Sequence, residues 1–234
     1  MPKKLKSLLS GESAHINKNP LHFQHPYRAV ISGSSGTGKT LWIMNKLQHK
    51  DSPFDRVIWV APEFSLSQEK MKNFKHNMGK KLSIVKGLDT DKVDKYISDG
   101  FGKGLQQGIV IDDLMSEQND WLNNLFTSGR HKNCSTIELT QRLFTGKHGR
   151  TNRLNTNYYV LFKFPDQSEF ATLARQISPV HTKKVVQAYN TITDKPHGCF
   201  IIDTNYHKLN VPNNKLLKYR DTDLNMVVTD LIDA

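Results

Sequence analysis

The sequence predicts an α/β fold: a mostly parallel central sheet with helices on both faces. Three observations carry this expectation. Short apolar runs of strand length alternate with segments whose apolar residues recur at helical spacing. One run, Gly108–Asp112 (GIVID), is apolar until it ends in an acid, the pattern of a strand buried on both faces. A glycine-rich stretch, Gly33–Thr40 (GSSGTGKT), separates the first apolar run from a helical segment. In a parallel sheet such a junction lies at the strand ends that face a ligand.

The elements follow in order. Residues 1–26 are polar, carry Lys3, Lys4 and Lys6, and read as a flexible arm before a domain spanning 27–211. Tyr27–Ser32 is the first strand, and a helix opens near Gly38 with Leu41, Met44 and Leu47 on nearby faces. Arg56–Val60 is a buried strand ended by Ala61 and Pro62. Ser67–Met78 reads as a helix, Leu82–Val85 as a strand, and Asp91–Ile97 as a helix whose early carboxylate suits the helix dipole. After GIVID, a helix is expected over Asn119–Ser128 and strands over Ser135–Thr140 and Tyr158–Phe164, the latter stopped by Pro165. Helices over Ser168–Ile177 and Thr182–Tyr189 precede Phe200–Asp203, read as the last strand. Residues 212–234 are polar and then weakly amphipathic (Leu224, Val227, Val228, Leu231), and read as a tail. Right-handed crossovers between parallel strands gather the strand C-termini on one edge.

Composition narrows the function class. A chain of 234 residues with 37% hydrophobic residues suits one medium domain with a core. No stretch approaches the roughly 18 consecutive apolar residues of a membrane span, and the first residues lack the apolar segment of a secretory signal. Cys134 and Cys199 are far apart in apolar runs, so two buried thiols in a reducing compartment are expected, and no Cys/His cluster has zinc spacing. With 33 basic and 22 acidic residues the net charge is +11, which points to a polyanionic partner such as nucleic acid. The plain alternative is a soluble basic surface.

Gly33–Thr40 fits G-x-x-x-x-G-K-[ST], the phosphate-binding loop or P-loop, and its context is the required one, after a strand and opening a helix. The glycines Gly33, Gly36 and Gly38 let the backbone curl around Ser34, Ser35 and Thr37, so that successive N–H groups point at phosphate oxygens. The helix behind aims its positive end at the same anion. Lys39 is placed to reach the β- and γ-phosphates of ATP, and the Thr40 hydroxyl to ligate Mg²⁺.

Asp112, at the end of GIVID, has the position of the second magnesium-side acid (Walker B). Asp113 follows it and can orient or deprotonate the attacking water. The alternative for the pair is a cap on the next helix. Gln141, at the tip of the following strand, is a candidate sensor of the γ-phosphate, against an ordinary exposed glutamine. Arg130, just before that strand in SGRHKN, is a candidate finger for a neighbouring subunit's nucleotide, against a surface arginine.

These segments together resemble a family. GSSGTGKT, IVIDDL, SGRHKNCSTIELTQRLF, GRTNRLNTNYYVLFKF and ATLARQISP are similar, in that order, to the genome-packaging ATPases of double-stranded DNA viruses in the FtsK–HerA superfamily. The nearest likeness is to the poxvirus-type ATPases of virophages, Polinton-like elements and adintoviruses, over about residues 27–204. The resemblance implies a RecA-like P-loop NTPase of the ASCE type, with the Gln141 strand between the P-loop strand and the Asp112 strand. It implies Arg130 as a trans-acting finger, Gln141 as sensor, and the Arg150–Thr151–Leu154–Asn155 element as a family feature, with Arg150 either a second finger or a DNA contact. It also implies a pentameric or hexameric ring that pumps duplex DNA into a preformed capsid, docked at a capsid or portal vertex inside an infected cell. Asp113 departs from the glutamate common at that point.

The basic stretch Gln141–Arg153 (QRLFTGKHGRTNR) carries Arg142, Lys147, Arg150 and Arg153 beyond a strand tip, where a loop can face a ring's channel and grip phosphates irrespective of sequence. A solvated loop or a subunit interface is the alternative. Rival functions are a cellular or plasmid DNA pump or helicase of the same superfamily, a small nucleoside or nucleotide kinase, and an assembly factor that hydrolyses little.

Overall fold

The computed structural model describes residues 23–114, 120–144, 154–177, 179, 182–204, 215–219 and 226–230. Among the described residues nine strands form one sheet: β1 (Arg28–Ser32), β2 (Arg56–Ala61), β3 (Leu82–Lys86), β4 (Gln107–Asp112), β5 (Cys134–Thr140), β6 (Tyr158–Leu161), β7 (Cys199–Asp203), β8 (Lys215–Tyr219) and β9 (Met226–Asp230), in the order β3-β2-β4-β5-β1-β6-β7-β8-β9. The pairs from β3 through β6 are parallel, and those from β6 through β9 antiparallel. The helices are α1 (Lys39–Gln48), α2 (Glu63–Leu66), α3 (Glu69–Met78), α4 (Thr90–Gly102), α5 (Asp120–Ser128), α6 (Gln167–Ile177) and α7 (Thr182–Thr193). This is the expected α/β architecture of a RecA-like ASCE P-loop NTPase, with β5 between β1 and β4.

Strand alternation divides the core into two layers, because successive side chains point to opposite faces. Val57, Trp59 and Ala61 of β2 join one apolar cluster, with Trp42, Met44 and Leu47 of α1 and Met71, Phe74 and Met78 of α3. Ile58 and Val60 join the other, with Val93 and Ile97 of α4, Leu122 and Phe126 of α5, Phe170 and Leu173 of α6, and Val185 and Tyr189 of α7. Each large side chain buried this way contributes about 1.5–3 kcal/mol, so a sheet covered on both faces is what holds the strand ends in register. Both cysteines are buried thiols, and burial pushes the Cys134 thiol up to about 12.

The differences from the sequence reading are local. The predicted strand Tyr158–Phe164 stops at Leu161, because the backbone beyond it turns to the P-loop: the Lys163 carbonyl accepts from Ser34 N at 3.0 Å. α4 starts earlier and runs further than expected, capped by the Asp89 side chain on Lys92 N, with Asp91 in its first turn. The segment after Ala61 forms the short α2 before α3 begins. Phe200–Asp203 is not the last strand, since β8 and β9 follow within the stretch read as a tail. Five-residue strands such as KLLKY and MVVTD are too short for period two to show against a helical spacing. Among the described residues no helix is long and apolar enough to cross a membrane. Residues 1–22 of the expected arm lie outside the described residues, as do Lys147, Arg150 and Arg153.

Candidate nucleotide site

The site is built at the C-terminal ends of the parallel strands. β1 ends at Ser32, and the loop that follows runs into α1. Three of its glycines hold positive φ: Gly33 at 150°, Gly36 at 76° and Gly38 at 101°. At Gly33 a Cβ would lie 2.6 Å from Phe162 Cβ, so only glycine lets the loop pass this close to β6. Gly38 precedes α1, and no side chain caps that end of the helix, which leaves its first N–H groups available to an anion.

Lys39 Nζ donates to the Gly33 and Ser34 carbonyls, each at 2.7 Å, which holds the ammonium inside the bend of the loop. Burial keeps its pKa below the usual value, against the pull of Asp113 and Asp112. The Thr37 hydroxyl donates to Ser34 O at 2.8 Å. Ser34 is tied to the segment that follows β6, since both its N–H and its hydroxyl donate to Lys163 O, at 3.0 and 2.9 Å.

Asp112 ends β4 and is buried. Burial first, and the adjacent Asp113 second, push its carboxyl up to about 6, while Lys70, Trp59 and Lys39 pull it back. Asp113, exposed, adopts a left-handed conformation with φ 56°, which a short acidic residue tolerates better than most. Its N–H donates to Leu139 O of β5 at 3.3 Å, which ties it to the neighbouring strand. From the tip of β5, the Gln141 amide donates to both Asp113 carboxylate oxygens, at 3.3 and 3.2 Å. The insertion of β5 between β1 and β4 therefore brings Lys39, Asp112, Asp113 and Gln141 to one edge.

Arg130 lies elsewhere. It belongs to a 3-10 turn, Gly129–Lys132, that precedes β5, while Gln141 follows the same strand. At about 3.3 Å per residue, β5 spans on the order of 20 Å. Arg130 is exposed at the far edge beside Arg28, whose pKa is lowered by burial and by the Arg130 charge. Arg142 is exposed on the P-loop edge, with Asp166 within its electrostatic reach.

The residues present fit a nucleotide with a divalent cation. Among the described residues no group of three or more His, Cys, Asp or Glu side chains could hold a metal by itself. Mg²⁺ is commonly held by one or two carboxylates together with phosphate oxygens. Thr40 and Asp112 are the residues here that would hold it, and burial keeps the Asp112 carboxyl above its usual range despite Lys70 and Lys39, a penalty that a bound cation would relieve.

Two residues near the site escaped the sequence reading. Lys70, in the first turn of α3, acts on both Lys39 and Asp112. On the sequence it is one lysine of an amphipathic helix. His197, in the turn between α7 and β7, places Nδ1 3.2 Å from the Thr37 carbonyl. No spacing rule links it to a loop so distant in sequence.

Residues 13–206 match the poxvirus A32 protein family. Curated proteins yield no match. Among solved structures, the chain is similar to the genome-packaging NTPase B204 of Sulfolobus turreted icosahedral virus 2 in complex with ATP-gammaS, with 15% identity, TM-score 0.54, and 87% of this chain and 96% of that one covered. B204 of Sulfolobus turreted icosahedral virus, described as a DNA-packaging ATPase, has 13% identity and TM-score 0.54 over 88% of this chain and 98% of its own. The cytoplasmic domain of the Thermomonospora curvata type VII secretion ATPase EccC has 13% identity and TM-score 0.50, over 81% of this chain and 25% of that one. At such identities the likeness is one of fold.

Proposed function

Because the chain belongs to the poxvirus A32 protein family and is an ATP-hydrolysing NTPase of the FtsK–HerA type related to viral genome-packaging ATPases, we propose that it is a double-stranded DNA translocase that packages a viral genome into a preformed capsid. The observation that carries this reading is the division of labour along β5. Gln141 at one end joins Asp113 beside the P-loop, while Arg130 sits beyond the other end. An arginine about 20 Å from its own chain's site is out of reach of that site's nucleotide, which supports its acting on a neighbouring copy in a ring.

In this mechanism the loop N–H groups and Lys39 bind the triphosphate; Thr40 and Asp112 would hold Mg²⁺, which when bound would supply positive charge to the site. Asp113 accepts the proton of the attacking water. Gln141 orients that carboxylate through its amide N–H and keeps its own carbonyl free to accept from the same water. Arg130 of the next subunit neutralises charge that develops on the γ-phosphate. Arg142 at the same edge, and Lys147, Arg150 and Arg153, which follow it in the sequence, contact DNA phosphates, in keeping with the net charge of +11. A capsid or portal vertex in the infected host cell is the docking partner of this reading.

The test is ATP turnover with and without duplex DNA, over a salt series. Stimulation by duplex of any sequence, falling steeply with salt, is expected. Turnover indifferent to DNA, with no binding at low salt, would remove the translocase reading and leave the ATPase.

A further inference from the structure

We propose that His197 is a positioning residue for ATP binding: from outside the P-loop it holds the Thr37–Gly38 peptide so that its N–H points toward the triphosphate. The inference rests on nucleotide binding alone and not on DNA translocation.

The Thr37–Gly38 peptide is trans, so the Thr37 C=O and the Gly38 N–H point in opposite directions. The Thr37 carbonyl meets His197 Nδ1 at 3.2 Å. A carbonyl can only accept, so the ring donates from Nδ1. Fixing the carbonyl toward His197 turns the Gly38 N–H away from it and, in this proposal, toward the triphosphate that Lys39 binds. The contact is close, since a Cβ on Gly38 would lie 3.0 Å from the same ring nitrogen.

The turn that carries His197 is built to hold it there. His197 has φ 57°, a left-handed conformation uncommon for a residue with a side chain. The following Gly198 has no room for a Cβ, which would fall 2.1 Å from Ile192 O. The same turn also reaches the front of the loop. Asp194 pairs with Lys163 Nζ at 3.0 Å, and the Lys163 carbonyl receives both the N–H and the hydroxyl of Ser34. The α7–β7 turn therefore holds the P-loop at Ser34, through Lys163, and at Thr37, through His197. A loop whose donors are already aligned loses less freedom when the anion arrives, and that raises affinity without touching chemistry.

The variants that test this separate the donor from the backbone. His197→Gly accepts the left-handed conformation and removes the donor. His197→Asn also tolerates that conformation and keeps an amide donor near the Nδ1 position. Binding of ATP-gammaS is measured by calorimetry, together with kcat and KM for ATP and the melting temperature without nucleotide. We expect about fivefold weaker binding and a raised KM in His197→Gly, the scale of one lost hydrogen bond, with kcat within twofold and an unchanged melting temperature. His197→Asn is expected to restore binding to within twofold of the parent. Parental affinity in His197→Gly, or equal weakening in both variants, overturns the proposal. Lys39→Ala, run alongside, tests the nucleotide site separately: its failure to impair binding or hydrolysis would overturn the site and not only the role of His197.

Discussion

The Gln141 side-chain amide donates to both carboxylate oxygens of Asp113, joining the tips of β5 and β4 beside the P-loop. A carboxylate can only accept, so the amide nitrogen must face it. If Asp113 is the base, Asp113→Asn lowers kcat by about 10²- to 10⁴-fold and leaves KM for ATP within a few fold. Gln141→Glu replaces the donor with a like charge beside that carboxylate, so kcat falls there too. Steady-state kinetics check both. A raised KM at unchanged kcat in Asp113→Asn would place the residue in binding and not in chemistry.

Gly33 and Gly36 both hold positive φ, but their surroundings differ. A Cβ at Gly33 meets Phe162 Cβ at 2.6 Å, whereas nothing lies within 4 Å of one at Gly36. Gly36→Ala is expected to cost only backbone strain, about 1–2 kcal/mol. Gly33→Ala adds a clash that must shift β6 or the loop, so it lowers the melting temperature further and abolishes ATP binding. Thermal unfolding of the two variants side by side decides this, and equal losses would count against the packing argument.

Asp112 carries a pH signature in the nucleotide-free protein. Its folded pKa, about 6, is above the ordinary 3.8. The folded state therefore binds the extra proton between these values, and this group's contribution to stability falls as pH rises through the window. Asp112→Asn removes that penalty. The stability gap in favour of the variant opens between about pH 4 and 6 and levels off above 7, on the order of 3 kcal/mol, while hydrolysis is lost. Denaturant melts at several pH values measure the gap, and a gap independent of pH contradicts the assignment.

Arg130 stands at the opposite end of β5 from Gln141. Arg130→Ala should therefore fold and bind ATP like the parent, yet reduce turnover by a large factor, about 10³ or more where such fingers are measured. In mixtures with parental subunits the activity should fall faster than the variant fraction, because each variant subunit silences a neighbour's site. Strictly proportional loss across a mixing series argues against a trans role.

Much of this was legible in the sequence because it is local. The loop Gly33–Thr40 carries its own strand-before and helix-after context, and GIVID followed by a second aspartate states both a buried strand and its acidic tip. The two-faced core was legible too, from apolar runs such as RVIWV that leave no polar side. Lys70 and His197 were not legible. A lysine in an amphipathic helix and a histidine in a DKPHG turn carry no mark of what lies across space from them. β8 and β9 were missed because five residues are too few for either period to prevail.

By itself the sequence determined which segments are strands and helices through most of the domain, and the chemistry of the nucleotide loop with its acid pair. The reason is that burial period and loop chemistry are properties of adjacent residues. The tertiary structure alone decided the distances. β5 pairs with both β1 and β4, so that Gln141 meets Asp113 while Arg130 is carried to the opposite edge. The α7–β7 turn, remote in sequence, comes to rest on Thr37. Strand order and turn docking arise from pairing and packing between distant segments, and no short window of residues records them.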